Sequence, residues 1–351
     1  MHDPIARLAA ELGESWPHLK AGQERAQAKR RELDSALTDC TSSEASIVVF
    51  GSLARDEFSA GSDIDWTLLV DGPADPRHLE RAQSVDRHVR RIEQRKPGRE
   101  GTFGSMAFSH DLVHQIGGED DTNSNTTRRI LLLLESAAIG RPQAWERVVH
   151  HVLRRYLAED RGLWFGSRRT RMPRFLLNDI VRYWRTMTVD FAYKQRSRAG
   201  EGWALRNIKL RTSRKLIFVA GLLTAFCCET GLAPDEKEEI FGQHDVDRLT
   251  EHFRRTVGQT PLEMLATAFQ PHGDLADAAR QVFGAYDRFL GLLADDDARR
   301  RLSDLTFDDL GEDELFHHAS RTCYELQEGL DQLFLTPGAP LFDLTVKFGV
   351  F

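Results

Sequence analysis

The sequence has little cysteine: Cys40, Cys227, Cys228 and Cys323 are its only four thiols in 351 residues. None stands in a C-x-x-C pair and two are adjacent in an apolar stretch. A zinc ribbon and a disulfide framework are therefore excluded, and buried thiols are expected. Long apolar runs are also missing. Leu216–Cys228 is broken by Gly221 and Thr224 and falls short of the roughly 18 residues a membrane helix needs, so no membrane span is expected. Met1–Ala10 carries His2 and Asp3 where a secretory leader would be basic, and no apolar core of about 7–15 residues follows. The expected location is cytoplasmic. Internal repeats and low-complexity tracts are absent. With 41% hydrophobic and 29% charged residues the chain stays near the globular mixture, which excludes disorder as the main state. At about 100–200 residues per domain the length predicts two domains.

The net charge of −7 is unevenly placed. Between Arg161 and Lys215 stand fifteen Lys or Arg against Asp179, Asp190 and Glu201, which makes +12 there and −19 elsewhere. A basic block inside an acidic chain focuses potential where a polyanion would sit.

Hydrophobic periodicity divides the chain. Residues 5–38 read as helix. Ile47–Phe50 and Ile64–Val70 are β-branched runs ended by Gly51 and by Asp71-Gly72-Pro73, and Phe108–Ile116 is a third strand ended by Gly117-Gly118. About two helical turns fit Ser52–Phe58, and a helix from Pro76 to Gln94 stops near Pro97-Gly98. After Thr126 helices take over. Arg129–Ser136 is apolar and buried, Phe175–Phe191 carries Leu176, Ile180, Trp184, Met187 and Phe191 on one face, and Trp203–Phe226 continues as helix. Acidic helices run on to about Leu335, with breaks at Pro234, Gly258–Pro261, Pro271–Gly273 and Gly311. The fold class is α+β: an N-terminal α/β core with a short mixed sheet over 1–140, then an all-helical domain over 141–351.

The chemistry concentrates in Val48–Val70. A strand ends in Gly51-Ser52, ten residues intervene, and then Asp63 and Asp65 stand two apart at the head of the next strand. Period-two alternation sends both carboxylates to one face and Ile64 to the other. Paired carboxylates suit a hard cation such as Mg²⁺, with nucleotide phosphates completing its shell. Gly51 lets backbone approach a phosphate, and Ser52 offers a hydroxyl and an N–H.

These residues resemble the DNA polymerase β-like nucleotidyltransferase superfamily: hydrophobic strand, Gly-Ser, a spacer of this length, then Asp-x-Asp. The resemblance implies that Gly51 and Ser52 hold β- and γ-phosphates, that Asp63 and Asp65 bind two Mg²⁺ ions, Mn²⁺ being an alternative, and that a third acid on a later strand completes the metal site. Asp111, in Phe108-Ser-His-Asp-Leu-Val113, is the match for the third acid, with Glu119, Asp120 and Asp121 as rivals. His110 and His114 flank it, His110 pointing the other way on a strand. The resemblance also implies cations from the helical domain. Lys209 and Ser213, one turn apart, are candidates for the triphosphate, and Arg182, Arg185, Arg211 and Arg214 for an acceptor. Trp164, Tyr183, Trp184 and Trp203 are stacking candidates or core, and Arg198–Gly202 is a loop. The implied reaction transfers NMP or dNMP from an NTP or dNTP to a hydroxyl. The basic block favours an oligonucleotide or RNA 3′ end, as in synthesis of antiviral-defence signals or tRNA-end modification. Protein AMP or UMP transfer is the alternative, and a catalytically silent regulator binding nucleotide or nucleic acid is the rival of another class. Asp295–Glu314 and the apolar tail Leu341–Phe351 are candidate surfaces for a protein partner.

Overall fold

The computed structural model describes residues 3–93, 103–165, 170–198, 200–306 and 309–349. The expected helix end at Gln94 and stop at Pro97-Gly98, Arg168 and Arg169 of the basic block, position 199 of the Arg198–Gly202 loop and the last two residues of the tail lie outside them.

Asp3 caps α1 (Pro4–Leu12) with its carboxylate on the amides of Ile5 and Ala6, and Gly13, at φ +68°, ends it. The single helix expected over 5–38 is therefore two, because α2 (Pro17–Leu37) restarts at Pro17. Strand β1 (Ala45–Phe50) leads into one helical turn, α3 (Gly51–Ala54), rather than two. Then come β2 (Trp66–Val70), α4 (Arg77–Ile92), β3 (Ser105–Phe108), α5 (Ser109–Val113), α6 (Asn123–Leu134) and β4 (Ser136–Ile139). The sheet runs β3-β2-β1-β4, with β1 antiparallel to β2 and β4 and β2 parallel to β3.

The third strand differs from its expected span. Ser105–Phe108 uses up Thr67–Val70 as partners, and β2 then turns away at Asp71-Gly72-Pro73. Ser109 onward has no strand left to pair with and coils into α5. Strand β4 carries only one β-branched residue, Ile139, and gives no sequence signal.

Alternation along the strands feeds two cores. Ile47, Val49, Ile64, Trp66, Leu68 and Val70 pack under α2 and α4, whereas Val48, Phe50 and Leu69 join a cluster continuous with the helical half. That half comprises α7 (Gln143–Ala158), α8 (Arg161–Phe165), α9 (Arg174–Ser197), α10 (Trp203–Lys209), a π-helical turn at Leu210–Arg214, α11 (Lys215–Thr230), α12 (Pro234–Gln243), α13 (Val246–Val257), α14 (Pro261–Phe269), α15 (Ala276–Ala294), α16 (Asp296–Asp304) and α17 (Glu314–Phe334). Helix α11 is apolar all round and central. The N-terminal segment locks onto α15: Trp16 stacks on Phe283 at 4.8 Å between centroids, and the Leu19 amide donates to Asp287 at 2.9 Å. Leu341 and Phe348 of the tail are buried in the same cluster. Among the described residues no single helix is long and apolar enough to cross a membrane.

Candidate active site

Gly51 takes φ +67°, a conformation that favours glycine, and a Cβ there would also lie 3.4 Å from Asp65 Oδ2. The approach is set by the Phe50 amide, which donates to the Asp65 carbonyl at 2.9 Å and so ties the end of β1 to the residue before β2. Asp63, Ile64 and Asp65 precede the strand rather than beginning it, since β2 starts at Trp66. Their alternation is nonetheless the expected one, with Ile64 buried, Asp63 exposed and Asp65 half-buried. Both carboxylates share the face of Leu69, the side covered by the helical half. The preceding loop is fixed by Ser62, whose Oγ accepts from the Ser59 amide at 3.1 Å.

The helical half answers with cations. Burial, with Arg299, Arg214 and Arg55 nearby, holds the Lys209 ammonium down to about 8, while Asp63 pulls in the opposite direction. Lys209 on α10 therefore lies within reach of the Asp63 charge. Ser213 lies on the same face, at the π-helical turn, buried with its Oγ donating to the Lys209 carbonyl at 3.4 Å. Arg299 of α16 was not singled out from sequence, being hidden within Asp295–Glu314, a stretch that reads as acidic. Its guanidinium lies on Gly61, where a Cβ would come within 1.7 Å of Nη1. Only glycine lets that arginine reach the Asp63 loop in this way.

Beneath the Gly51 turn lies a buried ion network. Arg55 pairs with Glu57 at 2.9 Å and with Glu135, and the Tyr286 hydroxyl of α15 donates to Glu57 at 2.9 Å. Burial works against the Arg55 charge, but Glu57 and Glu135 hold its pKa well above the usual value. The network anchors the turn to the helical half.

Other expected site residues fall elsewhere. Asp111 stands on α5, past Phe108, which pairs with Val70, whereas Asp65 precedes Trp66 at the other end of β2. The two strand levels differ by five residues, about 16 Å at roughly 3.3 Å each. On α5, His110 and His114 are one turn apart with rings 5.0 Å from each other, instead of opposed as on a strand. Level with the head of β2 stand Phe103 and Gly104, the Gly104 amide donating to the Trp66 carbonyl at 2.7 Å. Of the rival acids, Glu119 and Asp120 are exposed, and Asp121 is buried in ion pairs with Arg129 at 2.9 Å and Arg182 at 3.1 Å. Arg182 is thereby occupied in a structural network with Asp179 and Tyr156 behind it. Arg185 is exposed on α9, and Arg211 lies over the Tyr324 ring at 4.4 Å. Trp164 and Tyr183 are core, and Trp184 stacks on Phe218.

Two aspartates on one face fit a hard divalent ion, since Mg²⁺ is commonly held by one or two carboxylates plus substrate phosphates. Among the described residues no group of three or more His, Cys, Asp or Glu gathers to hold a metal. Residues 31–98 match the family model for the nucleotidyltransferase domain, a span that includes the Gly51 turn and both aspartates. No curated protein and no solved structure matches the chain.

Proposed function

From a chain that carries a nucleotidyltransferase domain of the polymerase β-like superfamily, whose members usually use divalent metals, we propose a metal-dependent, template-independent nucleotidyltransferase. An acceptor hydroxyl loses its proton to solvent as its oxygen bonds to the α-phosphorus of an NTP or dNTP, and the bond to the bridging oxygen breaks as pyrophosphate leaves. The observation that carries this reading is that Asp65 lies against the Gly51 turn while the helical half brings Arg299 onto Gly61 and Lys209 within reach of the Asp63 charge. Asp63 and Asp65 would hold Mg²⁺, or Mn²⁺, which when bound offsets the charge of the triphosphate. Lys209, Ser213 and Arg299 bind its outer phosphates, and Gly51-Ser52 presents backbone and hydroxyl to them. The acceptor is read as polyanionic, an oligonucleotide signal in the making, as in antiviral defence, or an RNA 3′ end. Transfer of AMP or UMP to a protein hydroxyl is the alternative acceptor chemistry.

A silent nucleotide-binding regulator is the second reading, favoured by the β3 register, which sets Phe103 and Gly104 rather than an acid beside the aspartates. Incubating the chain with each labelled NTP and dNTP and Mg²⁺ or Mn²⁺, then separating products by size, tests both. Product from the native chain, lost in Asp63→Asn and Asp65→Asn, supports transfer. Nucleotide binding without product from any of them overturns transfer in favour of the regulator.

A further inference from the structure

The positive charge around α10 exceeds what a triphosphate requires, and it is concentrated one turn away from Lys209. Arg206 precedes Lys209 by three residues and Ser213 by seven, so the three share a face of the helix. Among the described residues the guanidinium Nε and Nη2 of Arg206 are buried without a hydrogen-bond partner. A buried charged donor left unpaired is costly, and such a group calls for an ion or ligand to complete it. Its neighbours aggravate the deficit: Arg198 at the end of α9 and Arg214 at the π-helical turn both act on it. Glu201 and Asp190 are the nearby acids, and Asp190 is already held by Lys194 at 2.6 Å. Neither Arg198, Arg206 nor Arg214 has an ion pair to a carboxylate among the described residues. Gly202, at φ +64°, packs beside Arg206, its own would-be Cβ lying in ordinary contact 3.7 Å from Nη1. Arg214 acts on both Arg206 and Lys209, so its charge lies within reach of both groups.

We propose that Arg198, Arg206 and Arg214 form a second anion subsite, beside the triphosphate site on Lys209, which holds a phosphate group of the acceptor. The acceptor is then itself a nucleotide or oligonucleotide carrying a phosphate, not a nucleoside, a sugar or a protein side chain. Arginine suits this task because its planar fork meets two phosphate oxygens at once. Naming the ligand an acceptor rests on the transfer reading; the phosphate subsite does not.

The test uses the full chain saturated with a non-hydrolysable ATP analogue and Mg²⁺, so that Lys209 and Arg299 are occupied. Calorimetry then compares a 5′-phosphorylated dinucleotide with its 5′-hydroxyl counterpart. The phosphorylated form should bind at least tenfold more tightly. That preference should vanish in Arg206→Gln and fall in Arg198→Gln, an exposed position that leaves folding untouched, while the affinity for the ATP analogue changes by no more than twofold. Equal binding of the two dinucleotides by the native chain overturns the subsite. So does an Arg206→Gln or Arg198→Gln variant that loses the ATP analogue as severely as the dinucleotide, because the arginines would then belong to the triphosphate site. Phosphate preference without turnover on any nucleotide keeps the subsite and removes only transfer.

Discussion

Lys209 should take up a proton when a triphosphate binds. Its ammonium is held down from the usual 10.5 to about 8, chiefly by burial, with Arg299, Arg214 and Arg55 adding to the cost. At 1.36 kcal/mol per unit the shift corresponds to about 3 kcal/mol of unfavourable charge in the empty protein. A bound triphosphate reverses the balance by placing opposite charge against the ammonium, which restores the pKa. At pH 8 half of the lysines are neutral before binding, so uptake is about 0.5 proton per nucleotide, about 0.1 at pH 7 and about 0.9 at pH 9. Titrating ATP in EDTA, in buffers of differing ionisation enthalpy, measures it directly. Over the same range affinity should fall as pH rises above 8, by up to about tenfold per unit. Stability moves the other way. The unfolded chain holds this proton up to about 10.5 and the folded chain only to about 8, so stability rises with pH between those values, and below 8 the penalty is present in full. Lys209→Met should abolish the uptake, weaken ATP and stabilise the empty protein at pH 7 by roughly 1–3 kcal/mol. Uptake that persists in Lys209→Met, or is absent from the native chain at pH 8–9, would refute the placement of this lysine.

Asp111→Asn should leave nucleotide binding and turnover within about threefold of the native chain, because α5 sits beyond the far end of β2; a loss approaching the 10²–10⁴-fold expected of a general base would reinstate it. Gly61→Ala should drive the Arg299 guanidinium off the Asp63 loop without unfolding the chain, and reduce ATP affinity about tenfold, or 1.4 kcal/mol. An unchanged titration would remove Arg299 from the site. Arg129→Ala should lower stability in a denaturant titration by about 3–5 kcal/mol, since Asp121 and Asp179 would be left buried without their partner.

The geometry of the Gly51–Asp65 strip was legible because its signals are local. A β-branched run, a glycine that must turn at φ +67° and two acids in alternation are all written within Val48–Val70. That Lys209 and Ser213 share a face was legible from their spacing of four. The third strand was misjudged because its length depends on how far β2 runs beside it, and nothing in Phe108–Ile116 records that β2 ends at Val70. Asp111, expected on that strand, therefore stands on α5 instead. Arg182 carries the same charge as Arg214, yet Asp121, far off in sequence, occupies it. Arg299 stood hidden among acids because only the packing of α16 on Gly61 brings it to the Asp63 loop.

The stacking of Trp16 on Phe283, and the bond from Leu19 to Asp287, have a consequence for synthesis on the ribosome. The first helices and the strands emerge early, but their helical partner α15 begins only at Ala276. At about 5–20 residues per second, the more than 200 residues between β2 and α15 take about 10–40 s to appear. Through that interval Trp16 and Leu19 lack their native partners Phe283 and Asp287, so the nascent chain leaves this apolar segment open to chaperones until α15 is made.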